Sequence, residues 1–526
     1  MCWTKPRRTA RPVNDAQPQT RYTWLLAWCA AFVAHRGLLA VFALDRVWYW
    51  EEAYRLLIAQ SLLEGWGLSL WQLQADPYNG GSVAMGVLAM PFVALFGNSW
   101  LAAKLVAIAF ATLGLVFWSL AIDRAFGRRA AHLFALAWVA APPLFQLYNL
   151  IVMGSHAEVA TLAGFVMFAW QNYLRRMGQR ELLFWGIAGG VSTWFAYTAV
   201  LPFALTAVAS VVFGLIAPRG VALVAIGFVA GMSPWLAFNL ANEGAGLAVL
   251  GTTFTAGSDV VAPGGLEGLL RLIRFGIPPA LRFESLGESA FTSRRVFADG
   301  YLILCTLGGL LCLAELRRSA ARRAFAAVAL AWFPAFILMI AASNQIFDER
   351  VNAFSPVDFL TYRVLVPALP GLFAAFAIGA AGVPRVFRAA VVGMLVFGMA
   401  GSIGLIVDPL ERGFTRAPSS NLGAQAMGHL LVYKHGDDKA AIKNPITDQL
   451  ASVPAELRQA AWHGVGYSIA WHFRPDADPS LLIERLSAVA PAYLQQAREG
   501  ARTALSSPRS SPRSQIAPRP TPPRSN

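Results

Sequence analysis

Residues 21–44 read RYTWLLAWCAAFVAHRGLLAVFAL. Behind Arg21 the run is apolar except at His35 and Arg36, and it holds no proline. A helix of roughly 20 apolar residues crosses a bilayer, because it satisfies its backbone polar groups internally where no water can. The basic residues Lys5, Arg7, Arg8, Arg11 and Arg21 precede it. Short basic connections stay cytoplasmic, so this helix starts inside and ends outside, near Asp45. Its apolar stretch exceeds the roughly 7–15 residues of a signal-peptide core; we read it as an uncleaved anchor.

The rest of the chain repeats the pattern. Segments 100–122, 221–240, 301–316, 324–342 and 389–407 each read as an apolar span. Segment 182–217 is long enough for two crossings, with Pro202 near the bend. Hydrophobic residues make up 56% of the 526 and charged residues 14%, against about 25% charged in a soluble globular chain. A soluble enzyme is excluded. The net charge of +14 would fit nucleic acid if basic patches alternated with exposed aromatics. Instead the basic residues mark alternate connections: Arg124/Arg128/Arg129, Arg175/Arg176/Arg180, Arg219, Arg317/Arg318/Arg322/Arg323 and Arg385/Arg388. That register orients a chain in a membrane and argues against a nucleic-acid partner. The cysteines Cys2, Cys29, Cys305 and Cys312 have neither a disulfide framework nor metal spacing.

The expected fold is an all-α polytopic membrane protein of about eleven transmembrane helices. Residues 1–21 form a cytoplasmic basic N-terminus and 22–407 the transmembrane domain. Residues 408–500 form a small polar helical region on the periplasmic side, with helices at 455–473 and 479–498. Residues 501–526 form a disordered Pro/Ser/Arg tail. The charge register leaves room for one crossing between Asp45 and Arg124. The apolar stretch 82–97, which contains Pro91, must then lie outside or along the interface. The first outer loop accordingly runs from about 45 to 99, long for a bundle connection, and such loops on rigid scaffolds carry function. A tight outer turn at 146–158 separates crossings three and four, and crossing seven ends at 233–239. Longer outer segments follow at 242–299, with an amphipathic helix around 266–275, and at 344–362.

The first loop opens with Trp48-Tyr49-Trp50-Glu51-Glu52-Ala53-Tyr54-Arg55 and continues to Gly65. Adjacent carboxylates at a membrane surface can take a proton from an acceptor hydroxyl or hold a cation. Equally, they can stabilise a helix N-terminus against its dipole.

The stretch resembles the D-E-A-Y…A…L-L…G signature of the GT-C glycosyltransferases. That group includes the protein O-mannosyltransferases and the aminoarabinose transferases of glycosyltransferase family 39. Other matches follow in order. Arg36 lies inside the first helix, and Phe96-Gly97 with Ala103-Lys104-Leu105 resembles the entry to helix two, with lysine where arginine is usual. Pro234-Trp235 with Asn239 resembles the end of helix seven, and Tyr362-Arg363 with Pro367 and Pro370 the entry to a late helix. The likeness spans about 22–407. Two departures stand out: Glu51 replaces the usual aspartate, and the second outer turn offers His156 and Glu158 where the group has an aspartate.

The resemblance implies transfer of a sugar from a polyprenyl-phosphate donor to an envelope glycan, lipid or protein acceptor. It places the chain in a bacterial inner membrane, multi-pass, with the active site facing the periplasm. Glu51, with Glu52 the alternate, would be the base; Arg36, Lys104, His156, Glu158 and Arg363 would bind substrate. The resemblance implies no definite cofactor and leaves a divalent metal open, since some relatives use one at paired carboxylates. Charge on the departing phosphate calls for a cationic grip, and an arginine inside a helix, such as Arg36, is a functional candidate by default. The alternatives are a transporter or flippase of lipid-linked sugars, and a non-catalytic envelope assembly protein. Transporters place ionisable residues at mid-membrane and show internal repeats; here the carboxylates fall at the periplasmic edge, and no repeat is found.

Overall fold

A computed structural model describes residues 22–43, 50–74, 80–244, 292–342, 365–407, 420–435, 437–471 and 479–506, with isolated positions between 246 and 277. Every regular element among the described residues is helical. Among the described residues five helices are long and apolar enough to cross a membrane, or six if one bent pair counts as a single span. Apolar side chains such as Leu26, Val41, Val212, Leu240, Ile303 and Val392 face outward. In water they would be a liability; in a bilayer they form the lipid-facing surface.

The first helix, α1 (Thr23–Ala43), is followed by α2 (Trp50–Glu64), the single turn α3 (Leu70–Leu73) and α4 (Gly81–Phe96). Helix α2 stops at Gly65, whose φ of +67° glycine adopts without steric cost. Helix α4 has 16 residues, short for a crossing. It lies along α2: Gly86 backs onto Ile58, and Ser82 bonds Arg55. Then α5 (Trp100–Phe126) runs away from this end, starting at an N-cap where Ser99 accepts from the Ala102 N–H. The return path is broken. α6 (Arg128–Val139) gives way at Pro142-Pro143 to the short α7 (Pro143–Tyr148) and an irregular turn, 149–156, before α8 (Ala157–Arg176). An unbroken third crossing would be the simplest reading of the apolar run, but tandem prolines lack the N–H groups to continue it.

Helices α9 (Gln179–Phe195) and α10 (Val200–Val212) follow, parted before Pro202 as expected. Next come α11 (Pro218–Gly231) and α12 (Ser233–Ala241), bent by 53° at Met232. Gly186 and Gly190 of α9 meet Gly227 and Gly231 of α11. A Cβ on Gly190 would stand 2.1 Å from the Phe228 carbonyl oxygen, and one on Gly231 2.4 Å from that of Ile187. Small residues four apart let two helix backbones touch, the usual source of helix association in lipid. The remaining helices of the bundle are α13 (Thr292–Cys312), α14 (Ala320–Ala342), α15 (Leu369–Ala381) and α16 (Pro384–Val407). Aromatic packing joins α5, α6 and α14 through Trp118, Phe134, Trp138 and Trp332, and Phe145 carries it to Phe373 of α15.

Three of the basic connections gather at one end of the bundle. Arg124 bonds Asn172 and lies close enough to Tyr22, Arg175 and Arg176 to interact electrostatically. Arg128 stacks on Trp24, Arg322 on Phe126 and Arg323 on Phe213. The beginnings of α1 and α14 and the ends of α5, α8 and α10 therefore share a level. The opposite end holds α2, α4, the start of α5, the turn 149–156 and the end of α9, where Gly81 abuts Gly154 and Phe195. The arginines around 124–128, 175–176 and 322–323 share an end, as the charge register expects of them.

After the last span the chain forms α17 (Ser420–His435), α18 (Ala455–Trp471), α19 (Pro479–Leu486) and α20 (Leu494–Ser506). Glycines bring three of these into backbone contact. A Cβ on Gly464 would meet the Gln425 carbonyl at 1.9 Å, and one on Gly466 that of Ala497 at 1.8 Å. The sequence reading anticipated α18, treated 479–498 as one helix and missed α17. Pro491, at the start of a short 3-10 turn, splits the second. The polar, glycine-containing α17 gains its stability from packing. Its partner is α2: Tyr54, Leu57 and Ile58 share one apolar cluster with Ala424, Met427 and Leu431. Ser420 and Lys434 also bond Gln60 and the Trp71 carbonyl. The C-terminal helices thus stand at the same end of the bundle as α2 and α3.

Candidate functional site

The site is built on the first turn of α2. Successive helical residues point about 100° apart, so neighbouring Glu51 and Glu52 face different surroundings. Glu51 shares a face with Arg55 one turn on, and Glu52 turns toward α5.

Glu52 is fully buried, and both its oxygens lie 3.0 Å from the ammonium of Lys104, itself 1% exposed. Lys104 also sits 5.5 Å from the centre of the Trp100 ring. An ion pair this deep is held by geometry and added hydrogen bonds rather than by Coulomb attraction alone. Here the Val152 N–H supplies one, donating to Glu52 Oε1 at 3.0 Å.

That bond belongs to a pattern. Residues 149–154 form irregular backbone that is buried throughout, and buried N–H and C=O groups need partners. The carboxylates and Arg55 provide them. The Met153 N–H donates to Glu158 Oε1 at 2.8 Å, and the Met153 carbonyl accepts from Arg55 Nη2 at 2.6 Å. Gly154, at φ +77°, lets the turn press against α4 so closely that a Cβ on Gly81 would lie 1.6 Å from the Gly154 oxygen.

Arg55, 2% exposed, is the hub. Its Nη2 lies 2.6 Å from Glu51 Oε2 and donates to Ser82 Oγ at 2.9 Å, while Nη1 donates to the Glu51 carbonyl at 2.9 Å. It also interacts electrostatically with Glu158. Sequence reasoning quoted Arg55 without assigning it a task. The signal was present: an arginine four residues after a glutamate, on the helix face otherwise filled by Ile58 and Leu62.

The expected residues land in three places. Glu51, Glu52, Lys104 and Glu158 come together, although they derive from α2, α5 and α8. His156 immediately precedes α8, at the mouth of the same turn. Arg36 is elsewhere, at the α6–α7 break. Its guanidinium donates to the Val139 and Trp138 carbonyls at 3.0 and 3.1 Å and stacks on Phe32. Those carbonyls close a helix that Pro142 and Pro143 cannot continue, so in this structure Arg36 is a cap inside the bundle. Arg363, with Tyr362, lies outside the described residues, as do the loop residues Pro77, Tyr78 and Asn79.

Among the described residues no group of three or more His, Cys, Asp or Glu side chains is placed to hold a metal ion. Glu51, Glu52 and Glu158 face Arg55 and Lys104, leaving the cluster one formal negative charge in excess when all are ionised. Of the adjacent pair, only Glu51 keeps an opening, with its side chain 17% exposed against 0% for Glu52. A base must reach its proton. Glu52 can do so only by leaving Lys104 and Val152.

No protein-family model matches the chain, and no curated protein does. Among solved structures the chain is similar to the crystal structure of ArnT from Cupriavidus metallidurans bound to undecaprenyl phosphate. Identity is 18%, the match covers 92% of this chain and 77% of that one, and the TM-score is 0.46.

Proposed function

We propose that this protein is an integral-membrane glycosyltransferase that moves a sugar from a polyprenyl-phosphate carrier to an acceptor outside the cytoplasm. The observation that carries the reading is the Glu51 carboxylate, which alone of the adjacent pair keeps an opening, its side chain 17% exposed. It stands at the end of the bundle opposite the basic connections and is clamped by a buried arginine. The ordered motifs from Glu51 to Pro370 support it as well. In this reading the chain crosses a bacterial inner membrane about eleven times: the described helices that qualify by length are joined by shorter ones, with α4 along the interface. The N-terminus is cytoplasmic, and the C-terminal helices sit beside the first outer loop in the periplasm.

The chemistry is one displacement. The acceptor hydroxyl gives its proton to the Glu51 carboxylate as its oxygen bonds the anomeric carbon. The carbon–oxygen bond to phosphate breaks, and the electron pair leaves with the polyprenyl phosphate. Inversion at the anomeric carbon follows from a single in-line step. Glu52 and Lys104 hold α2 against α5, and Glu158 holds the neighbouring turn. Because Arg55 and Lys104 are already paired, the grip on the leaving phosphate falls to basic residues of the outer loops, Arg363 first. A transporter places its ionisable groups at mid-membrane, whereas this cluster sits where α2 meets the first turns of α5 and α8.

The test is transfer from a panel of labelled polyprenyl-phosphate sugars by the purified protein and by Glu51→Gln. Transfer by the parent, with at least a hundredfold loss of kcat in the variant, as removal of a general base gives (about 10²–10⁴), supports the reading. Equal transfer by both refutes it.

A further inference from the structure

We infer that Arg55 is the positioning residue for Glu51, fixing the carboxylate by tying it to the second outer turn; this rests on the reading of Glu51 as the base. The geometry goes beyond an ordinary surface pair. An exposed glutamate–arginine pair one turn apart on a helix leaves both side chains free to swing. Here the guanidinium is 2% exposed and fastened at two independent points, Ser82 Oγ at the start of α4 and the Met153 carbonyl in the turn before α8. A third contact, from Nη1 to the Glu51 carbonyl, closes the fork onto its own helix. Nη2 serves Glu51, Ser82 and Met153 with two N–H groups, one of them shared, while Nη1 serves the Glu51 carbonyl; this planar fork fixes directions that a lysine, a single point charge, does not.

Two functional consequences follow. The Glu51 oxygen that faces Arg55 is immobilised, which presents the carboxylate in one orientation. The location of Glu51 also becomes conditional on the turn 149–156, since moving Met153 withdraws an anchor of the clamp. The charged groups around the pair are Glu52 on the same helix, Lys104 of α5 and Glu158 of α8.

The experiment is a kinetic double-mutant cycle with Arg55→Lys, Glu51→Gln and the double variant, beside Ser82→Ala as a mild perturbation of one anchor. A group acting through another loses its effect once that other is gone. Expected is a kcat loss on the order of 10²-fold for Arg55→Lys, the scale of a misplacement near 1 Å, with donor KM held within about threefold. Arg55→Lys should cost nothing further in the Glu51→Gln background, and Ser82→Ala should lower kcat by a few-fold. Equal losses from Arg55→Lys in both backgrounds, or a loss confined to KM, overturn the inference.

A second arm needs no turnover. Carbodiimide labelling of Glu51 at one fixed pH, read by peptide mass, should be faster in Arg55→Gln than in the parent. An unchanged rate overturns the inference by itself. Faster labelling in a protein whose transfer ignores Glu51→Gln upholds the clamp and removes the glycosyltransferase reading.

Discussion

Cutting the Glu52–Lys104 pair tests most directly how the site is held together. With Glu52 at 0% and Lys104 at 1% exposure, and both carboxylate oxygens 3.0 Å from the ammonium, neither charge can be rescued by water if its partner is removed. Lys104→Met leaves a buried carboxylate, and Glu52→Gln leaves a buried ammonium. Each should cost about 3–5 kcal/mol, the penalty for an uncompensated buried charge. The double variant removes both charges, and the glutamine oxygen can still accept from the Val152 N–H, now 3.0 Å from Glu52. Its cost should fall to about 1–2 kcal/mol, that of an imperfectly replaced hydrogen-bonded group. The singles together would thus cost roughly 6–10 kcal/mol and the double a small fraction of that, a coupling well above the 0.5–3 kcal/mol typical of residues in contact. The assay is unfolding in detergent micelles, followed by tryptophan fluorescence against denaturant for the parent and the three variants. Additive losses would refute the argument, because they would mean that the two groups do not share one desolvated site.

Two further predictions concern orientation and acidity. Single cysteines placed at the exposed Ser69 and Ser487 should both react with a membrane-impermeant maleimide added outside, and one at the exposed Ser319 only after permeabilisation. Labelling of Ser487 and Ser69 from opposite sides would break the shared end on which the proposal depends. In α17, burial and the neighbouring Lys434 pull His435 down to about 4 from its ordinary 6.5, while it shares a hydrogen bond with Gln449. The folded protein disfavours the charged imidazole, so its full contribution is present above pH 6.5 and is lost as pH falls toward 4, at up to about 1.4 kcal/mol per unit. Thermal unfolding between pH 7 and 4.5 should therefore fall more steeply for the parent than for His435→Gln; parallel curves would contradict the assignment.

The parts of this molecule legible in the sequence are those where the bilayer acts as a filter. Runs of apolar residues and alternating arginine-rich connections report a solvent and a side, and the arginines of residues 124–128 and 175–176 do collect at one end. The helix in 50–64 was legible too, from its acidic first turn and its terminal Gly65. The packing partner of each charged side chain was not legible. Glu51 and Glu52 are adjacent and chemically alike, and only the α2 register against α5 makes one a fully buried ion and leaves the other partly open. Arg36 looked like a substrate ligand because an arginine in lipid needs a reason. The structure supplies a local one, the open carbonyls above Pro142-Pro143, which becomes visible only once the break between α6 and α7 is seen.

Arg55 shows the same limit from the other direction. Its partners Ser82 and Met153 lie 27 and 98 residues away, and neither residue type advertises itself as a ligand for arginine. The turn 149–156 explains why the cluster exists at all. A broken helix leaves buried backbone that must be satisfied, and the side chains that do so, Glu52, Arg55 and Glu158, are charged ones converging where α2 crosses the turn. Charged groups recruited to satisfy a backbone need counter-charges, and Lys104 and Glu51 supply them. The only one of these carboxylates left an opening is the one at the rim. In this fold Glu51 is the outermost member of a network that buried backbone requires, so its placement depends on the break between α6 and α7.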